Sequence, residues 1–387
     1  MHKPRLTILS PLPIYPPLAG GTMHMLQATR QLSRFYDVRL YALAETPDMV
    51  TWGPLAECCA EVRAFERSPL RGLSLDPPAV RQEYSPDLIA YVRRVWSVEP
   101  PDVVQLEFTG MAQYASLVRK YGAKVICTAH NVAFLAQMRR ARQEPDLMRR
   151  ARRLLGALSL WRYELAALRQ CNLVITHSAI DAVVLRTWLR NTQITYMPSG
   201  VDLQEWPVCF NPDASDEVLF VGNYLHPPNV EGALWLAREV WPRVRQAWPV
   251  ARLTLAGRLP PPSVQALAAP DISVPGAVED LRPLYARSSL VVAPIFWGSG
   301  VRIKLLEAMA CGLPVVTTRL AAEGIDLIHG RSALFADRAD EFAAAIVRLL
   351  GNASLRMGFG MAGRAIVERD YDWERIGARL VESYTAM

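Results

Sequence analysis

The chain has 387 residues, 51% of them hydrophobic and 21% charged, and no apolar run approaches the ~20 residues a membrane-spanning helix needs. That length exceeds what one hydrophobic core usually serves, so two domains are expected. A formal net charge of +6 and a pI near 9.1 point to an anionic partner, whether phosphate, lipid headgroup or nucleic acid, without choosing among them.

The opening MHKPRLTILSPLPIYPP places basic residues ahead of a short apolar patch, but Pro11, Pro13, Pro16 and Pro17 interrupt it. RLTILS therefore reads as a first buried strand and not as the apolar core of a signal peptide. DVRLYAL, DVVQLEF, AKVICTAH, NLVITHS and QITYMPSG follow as strands, with helices such as HMLQATRQLSRF and AQYASLVRKYG between them. This alternation predicts a parallel sheet covered by helices on both faces. It stops in a stretch rich in Pro, Asp and Ser, so residues 1–198 form a first domain and 199–216 a linker.

The pattern then restarts. EVLFVGN, ARLTLAG, ISVPG, LVVAPIF and LPVVTT are expected strands, and residues 230–248, 301–311, 339–352 and 353–370 are expected helices. These define a second domain, 217–370. A last helix over 371–387, with Asp372 as N-cap and Glu374 in its first turn, is expected to return to the first domain. Six cysteines, at 58, 59, 127, 171, 209 and 311, form no C-x-x-C pair. Free thiols in a reducing compartment fit them best.

The segment GSGVRIKLLEAMACGLPVV, residues 298–316, carries the most chemistry. It follows a strand, and ligands in open parallel sheets bind at the carboxyl ends of strands. Gly298 and Gly300 leave the first amides of the next helix bare, at the positive end of its dipole, where phosphate binds. Arg302 and Lys304, placed in the first turn, add full charge. Glu307 shares a face with Lys304 and can accept hydrogen bonds from a sugar diol. Diphosphate plus ribose uses all three features. The plain alternative is a glycine turn with a solvated Lys304–Glu307 pair.

The ordered set of strand, glycine loop, cations, acid and EAMACGLPVV resembles the donor-site signature of GT-B glycosyltransferases of family 4. PLAGGTMHMLQATRQLSRFYDVRLYAL, TAHN, CNLVITHSAIDAVVLR, ITYMPSGVDLQEW and VLFVGNYLHPPNVEGALWLAREVWPRVRQAWPVARLTLAGR extend the resemblance over nearly the whole chain. HPPN together with GSGVRIKLLEAMA resembles a branch found in bacterial surface-polysaccharide synthesis. The resemblance implies an α/β, GT-B fold, two Rossmann-like domains facing across a cleft. It implies retaining, metal-independent sugar transfer from a nucleotide-diphosphate donor to a glycan or polyprenyl-linked acceptor. With the free thiols, a cytoplasmic location is expected, and the arginine run over 138–170 adds the alternative of a peripheral place on the inner face of the cytoplasmic membrane.

Residue by residue, the resemblance places Glu307 on the ribose, Gly20 and Gly21 beside the diphosphate, His130 near the transferred sugar and Val278 at the base. Gly222, Asn223, Gly298, Ser299, Gly300 and Val301 complete the donor-contacting set. With His130, the cations Arg302 and Lys304 make up the expected catalytic group. Two departures stand out. Many relatives carry an acid where Ser299 stands, and an Arg and a Lys where Asn223 and Asn229 stand. These departures keep a second expectation open, a nucleotide-binding partner of an assembly complex with little turnover. A Rossmann oxidoreductase fails for want of G-x-G-x-x-G after the first strand.

No metal is expected, because H-E-x-x-H and cysteine–histidine clusters are absent from the sequence. The one D-x-D, Asp370–Asp372, reads as a helix cap. Residues 138–170 hold nine arginines and three acids. They read either as a solvated face or as a basic amphipathic helix (Arg139 to Arg169) against an anionic membrane. Nucleic acid is not expected, since the run lacks the aromatic interleaving or zinc spacing of common modules.

Overall fold

The computed structural model describes residues 3–17, 20–69, 76–211, 216–298 and 301–387. The chain divides into two compact units, one formed by residues up to 198 together with 376–387, the other by 199–375.

The first unit is built on seven parallel strands: β1 (Arg5–Ser10), β2 (Asp37–Ala44), β3 (Glu61–Glu66), β4 (Val103–Glu107), β5 (Lys124–Ala129), β6 (Leu173–Thr176) and β7 (Gln193–Tyr196). Their order is β3-β2-β1-β4-β5-β6-β7. β4 and β6 are buried along their whole length, as strands covered on both faces must be; β6 is almost wholly apolar, whereas β4 carries the buried polar residues Gln105 and Glu107. β3, EVRAFE, is polar and mostly open at the sheet edge, so no apolar signal marked it. The strand DVVQLEF ends one residue early, at Glu107, because Phe108 turns into the left-handed region (φ 64°). A non-glycine residue held there carries strain of order 1–3 kcal/mol, a feature that clusters at functional sites.

The arginine-rich segment is not one helix. Ala133–Gln143 and Leu147–Leu168 pack against each other, broken at Pro145. Asp146 caps the second helix by accepting from Arg149 N at 2.7 Å.

The second unit carries β8 (Glu217–Val221), β9 (Arg252–Ala256), β10 (Ile272–Gly276), β11 (Leu290–Ala293), β12 (Val315–Thr317) and β13 (Leu334–Phe335), all parallel, in the order β10-β9-β8-β11-β12-β13. The segment expected as one helix over 230–248 runs as Pro227–Trp235, a π turn at Leu236–Val240, and Trp241–Ala247. Pro242, which cannot donate to the preceding turn, sits where the register changes. The residues read as a linker are not a free tether. Trp206, Cys209 and Phe210 pack on this unit's core, and Cys311 O accepts from Cys209 N and Phe210 N, each at 3.1 Å. All six cysteines are free thiols.

The last helix, Trp373–Thr385, starts after Asp372, whose Oδ1 accepts from Glu374 N. Asp370 closes the preceding helix, so the D-x-D is helix-terminal. No helix among the described residues is long and apolar enough to cross a membrane.

Candidate active site

In each sheet the strand order reverses direction between its first and fourth strands, at β1/β4 and β8/β11, and such a reversal opens a crevice at the carboxyl ends. His130 follows β5 in the first unit, and the helix bearing Lys304 and Glu307 follows β11 in the second.

In the first unit, the helix Gly20–Ser33 begins at the glycine pair, and Gly21 lies against two side chains. A Cβ on Gly21 would stand 3.2 Å from Phe108 Cζ and 3.6 Å from His130 Nδ1. His130, one residue beyond β5, is buried and stacks on Phe108 with ring centres 4.1 Å apart. Its Nε2 is 2.6 Å from Glu107 Oε2. His24 and His177 complete a cluster, with ring centres 5.6 and 4.8 Å from that of His130. Burial, reinforced by the neighbouring imidazoles, holds His24 well below the usual histidine range. Burial and His130 push His177 down to about 3, against the opposing Met197 carbonyl. That carbonyl accepts from His177 Nδ1 at 2.8 Å, leaving Nε2 as a buried acceptor without a partner. No group of three histidine, cysteine or carboxylate side chains among the described residues could hold a metal ion.

In the second unit the donor helix spans Ile303–Ala310, two residues later than Val301. Arg302 is therefore its N-cap and not a first-turn residue, whereas Lys304 does lie in the first turn. The far end is a Schellman cap: Gly312 at φ 79° donates to Met309 O and Leu313 N donates to Ala308 O. Only glycine takes that φ without strain. Gly298 (φ 114°) lies beside Arg302, whose Nη2 would be 3.2 Å from an added Cβ. Ser299 and Gly300 lie outside the described residues.

Glu307 is buried at 9% exposure and accepts from Tyr285 Oη at 3.0 Å. Burial raises its pKa, opposed by the Tyr285 hydrogen bond and by Lys304. Lys304 is pushed down to about 8, chiefly by burial and further by Arg302, with Glu307 opposing. No ion pair within 4.0 Å joins Lys304 to Glu307, and Lys304 Nζ has no hydrogen bond among the described residues. The solvated-pair alternative does not hold.

Asn223 and Asn229 are engaged locally. Asn223 Oδ1 accepts from Leu225 N at 3.1 Å, and Asn229 Nδ2 donates to Asn223 O at 2.7 Å. They build the turn after β8 and cannot stand in for the missing cations. The turn instead carries His226, whose pKa burial lowers, with Lys304 and Arg302 adding to the shift. Gly222 lies against Phe220 and Asn229, and Val278 sits partly buried between β10 and the helix Arg282–Arg287.

The sequence reading missed Glu107, Phe108, His24, His177, Tyr285 and His226. Glu107 and His177 carry the same signal as His130, a polar residue at or just past the end of a buried parallel strand. Tyr285 had no signal, because its link to Glu307 spans 22 residues and two elements.

Residues 18–205 match glycosyltransferase family 4, and residues 215–352 match the glycosyl transferases group 1. The chain belongs to the family 4 glycosyltransferases. It is similar to an uncharacterized 44.6 kDa protein in the cps region of Klebsiella pneumoniae, 27% identical over 168 residues, 41% of this chain and 43% of that protein. Matches to the first curated relatives span half or less of their length, between 27% and 50%. Among solved structures, sucrose-phosphate synthase from Thermosynechococcus elongatus superposes with a TM-score of 0.76 at 19% identity, covering 99% of this chain and 98% of that one. Anabaena HepE, solved with UDP and glucose, gives 0.71 at 15% identity, covering 98% and 99%. The fold is GT-B, here seen as two parallel-sheet α/β units.

Proposed function

We propose that this family 4 member is a retaining, metal-independent glycosyltransferase that moves a sugar from a nucleotide diphosphate to a glycan acceptor in polysaccharide synthesis. The observation that carries the reading is the donor helix. A buried carboxylate, Glu307, is held by Tyr285 one turn beyond a partly buried ammonium, Lys304, at the end of β11. The carboxylate accepts the ribose diol. The ammonium and the helix N-terminus take up charge as it develops on the leaving diphosphate, already oriented before reaction. Gly20 and Gly21 leave the backbone of the first unit open to phosphate, and His130 addresses the transferred sugar.

The likeness to HepE makes uridine nucleotides the first donors to test. Release of nucleotide from a panel of radiolabelled nucleotide sugars is the assay. Release that persists in excess EDTA supports the proposal. Loss restored by Mn²⁺ would overturn metal independence. Nucleotide binding without turnover across donors and acceptors would favour the second reading, a binding partner, which the engagement of Asn223 and Asn229 in the turn keeps in view.

A lipid-linked acceptor is the finer part of the proposal. On the helix Leu147–Leu168, Leu147, Met148 and Leu155 are 78%, 85% and 69% exposed beside Arg149, Arg150 and Arg152. Arg149, Arg152 and Arg153 also line a hollow with Gln137 and Gly156. Exposed apolar side chains among guanidinium groups suit the surface of an anionic bilayer, at about 1 kcal/mol per cation. Replacing Arg149, Arg150, Arg152 and Arg153 with alanine is expected to release the protein from phosphatidylglycerol vesicles in flotation. Wild-type indifference to those vesicles would exclude this acceptor geometry.

A further inference from the structure

A continuous hydrogen-bond path runs from the C-terminal helix to His130. Tyr384 Oη donates to Gln105 Oε1, and Gln105 Nε2 donates to Glu107 Oε1. Gln105 Nε2 also lies 3.2 Å from Thr128 Oγ1. Glu107 Oε2 is 2.6 Å from His130 Nε2. Exposure along the path is 4% at Tyr384, 2% at Gln105, 1% at Glu107 and 8% at His130. Gln105 and Glu107 are two apart on β4, so the pleat puts both on one face.

The path has a direction. With the tyrosine hydroxyl donating to the amide oxygen, Gln105 faces Glu107 with its NH₂. An ionised carboxylate only accepts, so it takes one N–H from Gln105 and one from His130 Nε2. His130 Nδ1 is then the acceptor nitrogen, on the side where Gly21 approaches. Without the hydroxyl, the Gln105 amide can turn out of this arrangement, and Glu107 then loses the donor that faces it.

We propose that Tyr384 and Gln105 are positioning residues: acting through Glu107, they hold His130 in its Nε2–H tautomer and present Nδ1 beside the glycine pair. This rests on the reading of His130 as a residue of the transfer site.

The titratable groups around the pair do not compete for the proton near neutral pH. His24, from the first helix, and His177, after β6, are held neutral by burial. Cys127 on β5 is raised well above the thiol range by Cys171 and burial, with Glu107 adding to the shift. Burial likewise raises Tyr384, whose ring meets Tyr36 at 5.9 Å.

The test is Tyr384→Phe, which keeps the ring contact with Tyr36 and removes only the hydroxyl. ¹⁵N imidazole spectra of the full chain, with His130→Gln assigning the signal, report the tautomer without requiring turnover. The wild type is expected to show Nε2–H. The variant is expected to show a mixed tautomer, and its kcat falls about tenfold with KM for the donor unchanged, the worth of one hydrogen bond. Gln105→Met breaks the path from the strand side if Tyr384→Phe fails to fold, and Tyr36→Phe should change neither readout.

An unaltered spectrum in Tyr384→Phe and Gln105→Met would overturn the proposal, and so would a changed spectrum with an unchanged kcat in an active enzyme. If the wild type turns over no donor, a changed spectrum still supports the positioning path while the transfer reading falls.

Discussion

Glu307→Gln is expected to lower kcat/KM for the donor roughly 10²-fold, chiefly through donor binding. An ionised acceptor holds each ribose hydroxyl with about 1.5–3 kcal/mol, against about 0.5–1.5 kcal/mol for a neutral one. Losing that difference twice amounts to about 2–3 kcal/mol, and ~1.4 kcal/mol is a factor of ten. Calorimetric titration with the donor nucleotide checks it. Binding within a factor of three of wild type would remove Glu307 from the ribose.

Stability should move the other way. Burial raises the folded pKa of Glu307 above its unfolded value. Below the ordinary carboxylate range, near 4, the group is neutral in both states and burial of charge costs nothing. As pH climbs from the unfolded value toward the raised folded one the cost accumulates, and it is complete once the carboxylate ionises inside its site. Glu307→Gln is therefore expected to raise the ligand-free melting temperature at pH 7, with the gain vanishing near pH 4. If Glu307 serves a ligand at a cost to folding, binding and melting should separate. Joint loss of both would instead mean that Glu307 serves the helix through Tyr285.

Lys304→Ala is expected to lower kcat about 10²–10³-fold, the range seen when one pre-oriented group is withdrawn from developing negative charge. The pH dependence is the sharper check. With Lys304 at about 8 in the free protein, its ammonium is present below that pH and is lost above it. The kcat/KM profile should therefore turn down near pH 8. Bound diphosphate favours the ammonium, so saturating donor should carry the limb to higher pH. Lys304→Arg keeps the charge through this range and should remove the limb while retaining part of the rate. An alkaline limb that survives in Lys304→Arg would assign it to another group.

Legibility differed sharply between elements. Buried parallel strands such as LVIT and EVLFV announce themselves, because both faces are covered and nearly every position is apolar. The edge strand EVRAFE does not, since most of its side chains meet water. Helix ends were legible where a local rule applies, as at Gly312 and Asp372. They were misplaced at Val301, where Arg302 takes the N-cap position. The arginine run read as a single amphipathic helix, and Pro145 turned it into two packed helices.

Taken alone, the sequence determined the two α/β units, the donor helix with Lys304 and Glu307, and the place of His130 at a strand end. Periodicity and short-range spacing encode these features. Only the tertiary structure decided what each side chain is bonded to: Tyr285 to Glu307, the asparagines to their own turn, and Tyr384 to Gln105 across 279 residues. Partnership and burial arise from elements distant in the chain, and these in turn set the charge on Lys304, Glu307 and the histidine cluster.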